Sequence, residues 1–175
     1  QDQGCKDDQD IIACVGKILH DTGFIIPTAS GTVTDEYGPR PILCANCSSF
    51  HKGIDLAASE GTKVYAAASG YVAAVKYANK NIKNDCGGNI ITINHIVNGK
   101  YYTTRYWHLL NVNVKAGDTV TKGQLIGWVG GYTTSSQLFI SGYDDCAFGA
   151  HLHFEISKDH YLSLGMLMGC NRILF

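Results

Sequence analysis

The sequence predicts a mainly β protein, a compact antiparallel β-sheet domain with a short helical segment at its start. Three observations predict it. From Phe24 onward, runs rich in β-branched and aromatic residues alternate with Gly, Asn and Asp. Asn98-Gly99 separates two of these runs, a strong two-residue hairpin signal. Near the end, "HLHFEI" sets Leu152, Phe154 and Ile156 in alternation with His151, His153 and Glu155, the period of a strand. The 175 residues are 45% hydrophobic and 17% charged, enough for one domain with a true core.

Residues 1–25 are expected to be a helical segment packed on a main domain spanning 26–175. Ile11, Ile12, Val15, Ile18 and Leu19 recur at helical spacing, and Gly23 stops the pattern. Cys5 and Cys14 are placed to clip this segment. "GYVAAVKYA" (70–78), "GNIITINHIV" (88–97) and "KYYTTRYWHL" (100–109) read as strands, the last two joined by the Asn98-Gly99 turn. "VKAGDTVTKGQLIGWVG" (114–130) reads as two shorter strands around Gly turns, and "AHLHFEIS" as the last strand. No internal repeat or low-complexity linker interrupts them.

A net charge of −1 gives no reason to expect nucleic acid or an anionic membrane as partner. No apolar run approaches the roughly 20 residues needed to span a bilayer. A monomer is expected. Seven cysteines, scattered and with a single CxxC, point to an oxidising, extracellular location and to disulfides. The start at Gln1 reads as a mature secreted chain whose leader has been removed. Six cysteines can form three bridges, and spacing alone leaves the pairing open.

The alternation in "HLHFEI" turns three apolar side chains toward a core and puts two imidazoles and a carboxylate on the opposite face. Upstream, "HKGIDLA" holds His51 and Asp55 four apart, and His108 closes an aromatic strand in "YWHLL". Period two places Tyr102, Thr104, Tyr106 and His108 on one face of that strand. Three nitrogen or oxygen ligands, with a fourth position left to water, describe a catalytic zinc site. His51, Asp55 and one histidine of the pair supply the three. Side chains at i and i+2 of a strand stand about 7 Å apart. That is too far for both to bind one ion at about 2.0–2.1 Å. One histidine therefore binds the metal and its neighbour stands beside the water. Cys44 and Cys47, the latter separated from His51 by three residues, could open a zinc knuckle. No second Cys/His pair follows at suitable spacing, which favours a local disulfide. His95 reads as a hydrogen-bonded structural histidine, and His20 and His160 as surface residues. Glu155 either orients an imidazole or is a solvated strand-end carboxylate. Tyr37 and Arg40, on the loop before the histidine motif, are candidates for substrate contact.

The segments "EYGPR", "HKGIDLA", "GNIITINH", "TTRYWHL", "VKAGDTVTKGQLIGWVG" and "HLHFEI" occur in the order and roughly the spacing of the lysostaphin-type zinc metalloendopeptidases. The chain resembles that peptidoglycan-cleaving family over approximately residues 26–160. The resemblance implies one zinc ion per chain, with His51, Asp55 and His153 as ligands. It implies that His151 and His108 are the catalytic histidines. A groove walled by loops and a peptidoglycan peptide as substrate follow from it too, as does pairing of Cys86 with Cys146. The chain departs from the family's pattern at Ala150, where Pro is usual, and in the longer loop "GYTTSSQLFISGYDDCAFGA". Two alternatives share the scaffold: a zinc-containing binding or signalling protein without turnover, and a peptidase of glycine-rich proteins. Retention of all five positions argues for an enzyme. A less favoured alternative to the packed helix, which explains the apolar spacing equally well, makes His20 or Asp21 a strap over the zinc, and removal of residues 1–23 would test it.

Overall fold

The computed structural model describes residues 23–28, 32–42, 48–82, 85–131, 144, 147 and 149–158. The expected N-terminal helix, with Cys5, Cys14, His20 and Asp21, lies outside these residues, as do Cys44, Cys47, Cys146 and His160.

Among the described residues the secondary structure is β. The strands are β1 (Thr32–Asp35), β2 (Gly38–Pro39), β3 (Phe50–His51), β4 (Ile54–Ala57), β5 (Lys63–Tyr65) and β6 (Gly70–Lys76). They continue with β7 (Asn89–Val97), β8 (Lys100–Val112), β9 (Thr119–Val120), β10 (Leu125–Val129) and β11 (His151–Lys158). One sheet runs in the order β1-β4-β11-β8-β7-β6-β9, with β10 beside β8 and β5 beside β10. Strands β2 and β3 form a separate ladder. The pairings between named strands are antiparallel. The strands expected over 70–78, 88–97, 100–109 and 150–157 are present as β6, β7, β8 and β11, and 114–130 holds β9 and β10.

The hairpin forms as expected. Val97 pairs with Lys100, and Asn98 and Gly99 both have positive φ, 51° and 72°, as a two-residue turn matched to strand twist requires. Leu152, Phe154 and Ile156 are fully buried. They meet Leu56, Ile91, Ile93 and Tyr106 in the core, where the Phe154 and Tyr106 rings lie 5.2 Å apart. The Tyr106 hydroxyl accepts hydrogen bonds from the Ala67 amide (2.9 Å) and the Thr104 hydroxyl (3.0 Å), so the phenol is satisfied inside the core. His95 is structural as expected: it is buried and bonded to the Ser69 carbonyl (2.9 Å) and the Thr104 hydroxyl (2.7 Å).

Strand β8 departs from simple alternation. Its first part pairs with β11, up to Trp107 opposite His153; its last part pairs with β10, from Leu109 opposite Val129. At the change of partner sits His108, with φ of 61°. Opposite β7 the pairing jumps from Tyr106–Ile91 to Leu109–Asn89. This irregularity separates His108 from Tyr106. The expected common face ends at Tyr106, whose ring packs on Phe154, while the His108 ring lies beside His151 and His153. A bulge adds one residue to a strand and re-aims the side chain that follows, which strict period two cannot anticipate.

Truncation of Phe154 should test the core. Phe154→Ala is expected to lower unfolding free energy in urea by about 3–5 kcal/mol. Ile96→Ala, at a position 62% exposed, should stay within about 0.5 kcal/mol of the parent.

Candidate metal centre and active site

Strands β3 and β4 deliver His51 and Asp55 from one short stretch, turning at Lys52-Gly53. Strand β11 lies antiparallel to β4 with His153 directly opposite Asp55. Cross-strand partners project to the same side of a sheet, so this register brings the second imidazole onto the first carboxylate. Gly53 makes the approach possible: a Cβ there would stand 2.9 Å from His153 Nε2 and 3.0 Å from Glu155 Cγ.

Three atoms converge. His51 Nε2 lies 2.8 Å from His153 Nδ1 and 3.1 Å from Asp55 Oδ1, and His153 Nδ1 lies 2.9 Å from the same oxygen. The outer ring nitrogens show what these atoms carry. His51 Nδ1 donates to the Glu36 carbonyl (2.8 Å), and His153 Nε2 donates to the Glu155 carboxylate (3.1 Å). In neutral imidazoles those bonds fix the ring protons on the outside and leave lone pairs on His51 Nε2 and His153 Nδ1. Two lone pairs and a carboxylate oxygen have no hydrogen to share and repel one another. A cation placed between them removes the conflict. Ligands on a tetrahedral zinc at about 2.0–2.1 Å would be separated by about 3.3 Å, close to the spacings found. The donor set therefore fits zinc.

The surroundings favour positive charge at this point. Burial works against ionisation of Asp55, but the imidazoles of His153 and His51 outweigh it and hold the carboxyl well below its usual range. Burial likewise lowers His153, yet Asp55 and Glu155 on either side more than offset that and raise it. A site that stabilises an added proton between two carboxylates also stabilises a metal cation there. Glu155, open to two readings from sequence, is buried and not a solvated strand end. It bonds His153 and lies 3.5 Å from Arg105 Nη1, whose guanidinium stacks 4.6 Å from the Trp107 ring centroid.

The two remaining histidines flank the cluster. His151 Nδ1 donates to the Gly149 carbonyl (2.8 Å), leaving Nε2 with a lone pair 3.9 Å from Asp55 Oδ2. Burial first, and the neighbouring His108 second, lower its pKa. The His108 and His151 rings are 4.5 Å apart. His108 Nδ1 is paired with the buried carboxylate of Asp144, whose other oxygen accepts from the Gly87 amide (3.1 Å). Asp144 was not singled out by the sequence. It sits in the long loop before the HxH pair, and no spacing ties it to His108, 36 residues away.

Tyr37 and Phe50, the latter next to His51 in sequence, meet edge to face at 5.1 Å and are both partly exposed. Arg40 is turned inward to Asp35 and donates to the Ser48 carbonyl (3.3 Å). Asp35 Oδ2 is in turn 3.5 Å from His51 Nδ1. Arg40 thus braces the loop that carries Glu36, whose carbonyl holds His51. Of the expected disulfide cysteines, Cys86 alone falls among the described residues.

Comparison with known proteins identifies the family. The profile of peptidase family M23 matches residues 49–163, which include His51, Asp55, His108, His151 and His153. The chain belongs to peptidase family M23. It is 38% identical over 104 residues to lysostaphin of Staphylococcus staphylolyticus, covering 58% of this chain and 20% of the relative. It is 34% identical over 106 residues to the peptidoglycan DD-endopeptidase ShyA of Vibrio cholerae, covering 61% and 20%. The chain thus spans about a fifth of the length of these curated relatives. Among solved structures, the catalytic domain of lysostaphin from Staphylococcus simulans superposes with a TM-score of 0.53 at 29% identity, covering 86% of this chain and 90% of that one. A zinc-containing peptidase from Vibrio cholerae gives 0.56 at 31% identity, covering 75% and 35%.

Glu155→Gln tests the outer partner of His153. Zinc affinity, read by competition with a chromogenic chelator, should fall about 10–100-fold, with the fold retained.

Proposed function

We propose that this chain is a secreted zinc metalloendopeptidase that hydrolyses peptide bonds of bacterial peptidoglycan, in a cross-bridge or a stem peptide. One zinc ion per chain would be held by His51 Nε2, Asp55 and His153 Nδ1. The observation that carries the reading is the convergence of three atoms that bear only lone pairs, with two further imidazoles beside them. Two relatives give a direction for the substrate: one is named a peptidoglycan DD-endopeptidase and another a glycyl-glycine endopeptidase. A zinc-containing peptidase among the structural neighbours supports the choice of metal.

When bound, zinc supplies Lewis acidity, polarising the scissile carbonyl and lowering the pKa of water toward about 7. The protein's own groups manage the protons. His151, with Nδ1–H tied to Gly149, presents the Nε2 lone pair and accepts a proton as water attacks the carbonyl carbon. His108, whose ring lies 4.5 Å from that of His151, donates to the developing oxyanion or to the leaving amine. Tyr37, edge-on to Phe50, is assigned to the groove wall, where an extended peptide would pass; Arg40, bonded to Asp35, is assigned to substrate contact only through the loop it braces. Secretion accords with the cysteine content. The disulfide-bonded state of Cys86 supports its pairing with Cys146, and Cys44–Cys47 and Cys5–Cys14 are assigned by proximity in sequence. No helix among the described residues is long and apolar enough to cross a membrane. We assign a monomer.

Incubation with purified peptidoglycans, glycine-bridged and directly cross-linked, followed by mass spectrometry, tests the function. New amino termini that disappear with a chelator are expected, and their masses name the bond. Zinc bound at one equivalent without cleavage of either sacculus would turn the assignment to a binding role or a protein substrate. His151→Ala should keep zinc and lose turnover by about 10²–10⁴-fold, whereas His51→Ala should lose both. Full activity of His151→Ala would remove it from the mechanism.

A further inference from the structure

We infer that Asp144 is a positioning residue for His108, fixing which ring nitrogen meets the substrate. The inference rests on the proposed function in one respect, that His108 acts as the acid toward the leaving amine. Of its two roles there, this is the one in which Nε2 gives up its proton and Nδ1 must keep one. Its physical basis is independent of any ion. The Asp144 side chain is buried, and its two oxygens have different partners: one accepts from the Gly87 amide, the other faces His108 Nδ1. His108 Nδ1 and this carboxylate oxygen are within hydrogen-bond reach, and a shared hydrogen accounts for the contact, so Nδ1 carries it. Nε2 is then the nitrogen left for chemistry.

The backbone around this pair is built to admit it. His108 occupies the left-handed region, which costs a non-glycine residue of order 1–3 kcal/mol and persists only where surroundings impose it. Its amide donates to the Gly87 carbonyl (2.7 Å) and its carbonyl accepts from the Gly130 amide (2.8 Å). A Cβ at Gly88 would lie 3.2 Å from His108 Cα and 3.4 Å from Asp144 Oδ2; one at Gly130 would lie 2.8 Å from the His108 carbonyl oxygen. Small residues on both sides let the bulge, the imidazole and the carboxylate pack together. Gly87 touches both partners, through its carbonyl to His108 and its amide to Asp144, so the strained turn and the side-chain pair form one unit.

Hydrolysis of a peptide bond divides one water. Its hydroxyl joins the acyl carbon, the C–N bond breaks, and its proton ends on the leaving nitrogen. His151 takes up the proton of the water. His108, as the imidazolium, gives its Nε2 proton to the leaving nitrogen and is left neutral with its hydrogen on Nδ1. One proton therefore passes between the two rings, 4.5 Å apart, before the next turnover. Asp144 keeps the remaining hydrogen on Nδ1 as the carboxylate does in Ser-His-Asp triads, by holding tautomer and orientation. The loop that departs most from the family's pattern thereby supplies a working part of the site.

Asp144→Asn separates this role from a scaffolding one. The amide oxygen can still accept from Gly87, while its NH₂ group turned to His108 Nδ1 forces the ring hydrogen onto Nε2. ¹⁵N NMR of histidine-labelled protein, zinc-loaded and metal-free, should show His108 protonated at Nδ1 in the parent and at Nε2 in the variant. Turnover of a soluble peptidoglycan peptide should fall by about 100-fold or more, with KM little changed and melting temperature near the parent's. Parental turnover by a folded Asp144→Asn would overturn the inference, and so would an unprotonated Nδ1 in the parent. The parent spectrum needs neither a folded variant nor a substrate. It decides the inference even if no peptidoglycan peptide is cleaved, an outcome that would count against the proposed function alone.

Discussion

The site depends on the pairing of β11 with β4 that puts His153 opposite Asp55. Side chains in a strand alternate strictly, so a slip of one residue would send both histidines of β11 into the core and bring Leu152 and Phe154 out. Burial of Leu152, Phe154 and Ile156 opposes that slip, because each contributes roughly 1.5–3 kcal/mol when removed from water. The hydrophobic core thus fixes the register, and the register fixes the cluster. Gly53 then allows β4 to approach closely enough for three lone pairs to face one another.

The outward bonds of the imidazoles matter as much as their inward atoms. The Glu36 carbonyl and the Glu155 carboxylate determine which nitrogens point inward bare. Each is itself held: Glu155 lies near Arg105, and the loop of Glu36 is tied through Arg40 to Asp35. Removing any outer partner would leave the inner set in place but free to rotate or change tautomer, which is how a remote side chain alters affinity for an ion it never touches.

Much of this was legible in the sequence, for identifiable reasons. Alternation in "HLHFEI" exposed the apolar and polar faces of β11, and Asn98-Gly99 marked the hairpin, because both signals are local. His51, Asp55 and one histidine of the HxH pair stood out as a possible ligand set because zinc constrains residue type, and the family resemblance, not the spacing, pointed to His153. The short strands β1, β2, β3 and β5, only two to four residues each, carry too few residues to show a period. The face of His108 was misread, since a bulge leaves no mark on the residues that precede it; the glycines at 87, 88 and 130 that accommodate it are far away in sequence. Asp144 was missed for the same reason. Its partner is 36 residues distant, and a single acid in a long polar loop has no pattern to announce it.

Central to the account is a cation between His51, Asp55 and His153, and zinc K-edge X-ray absorption on the purified protein tests that most directly. The account predicts one zinc per chain in a shell of nitrogen and oxygen, with outer scattering from two imidazoles and no sulfur. Zinc bound through sulfur would place it at cysteines such as Cys44 and Cys47 instead, and a protein that takes up no zinc would leave the three converging lone pairs without the ion on which this mechanism depends.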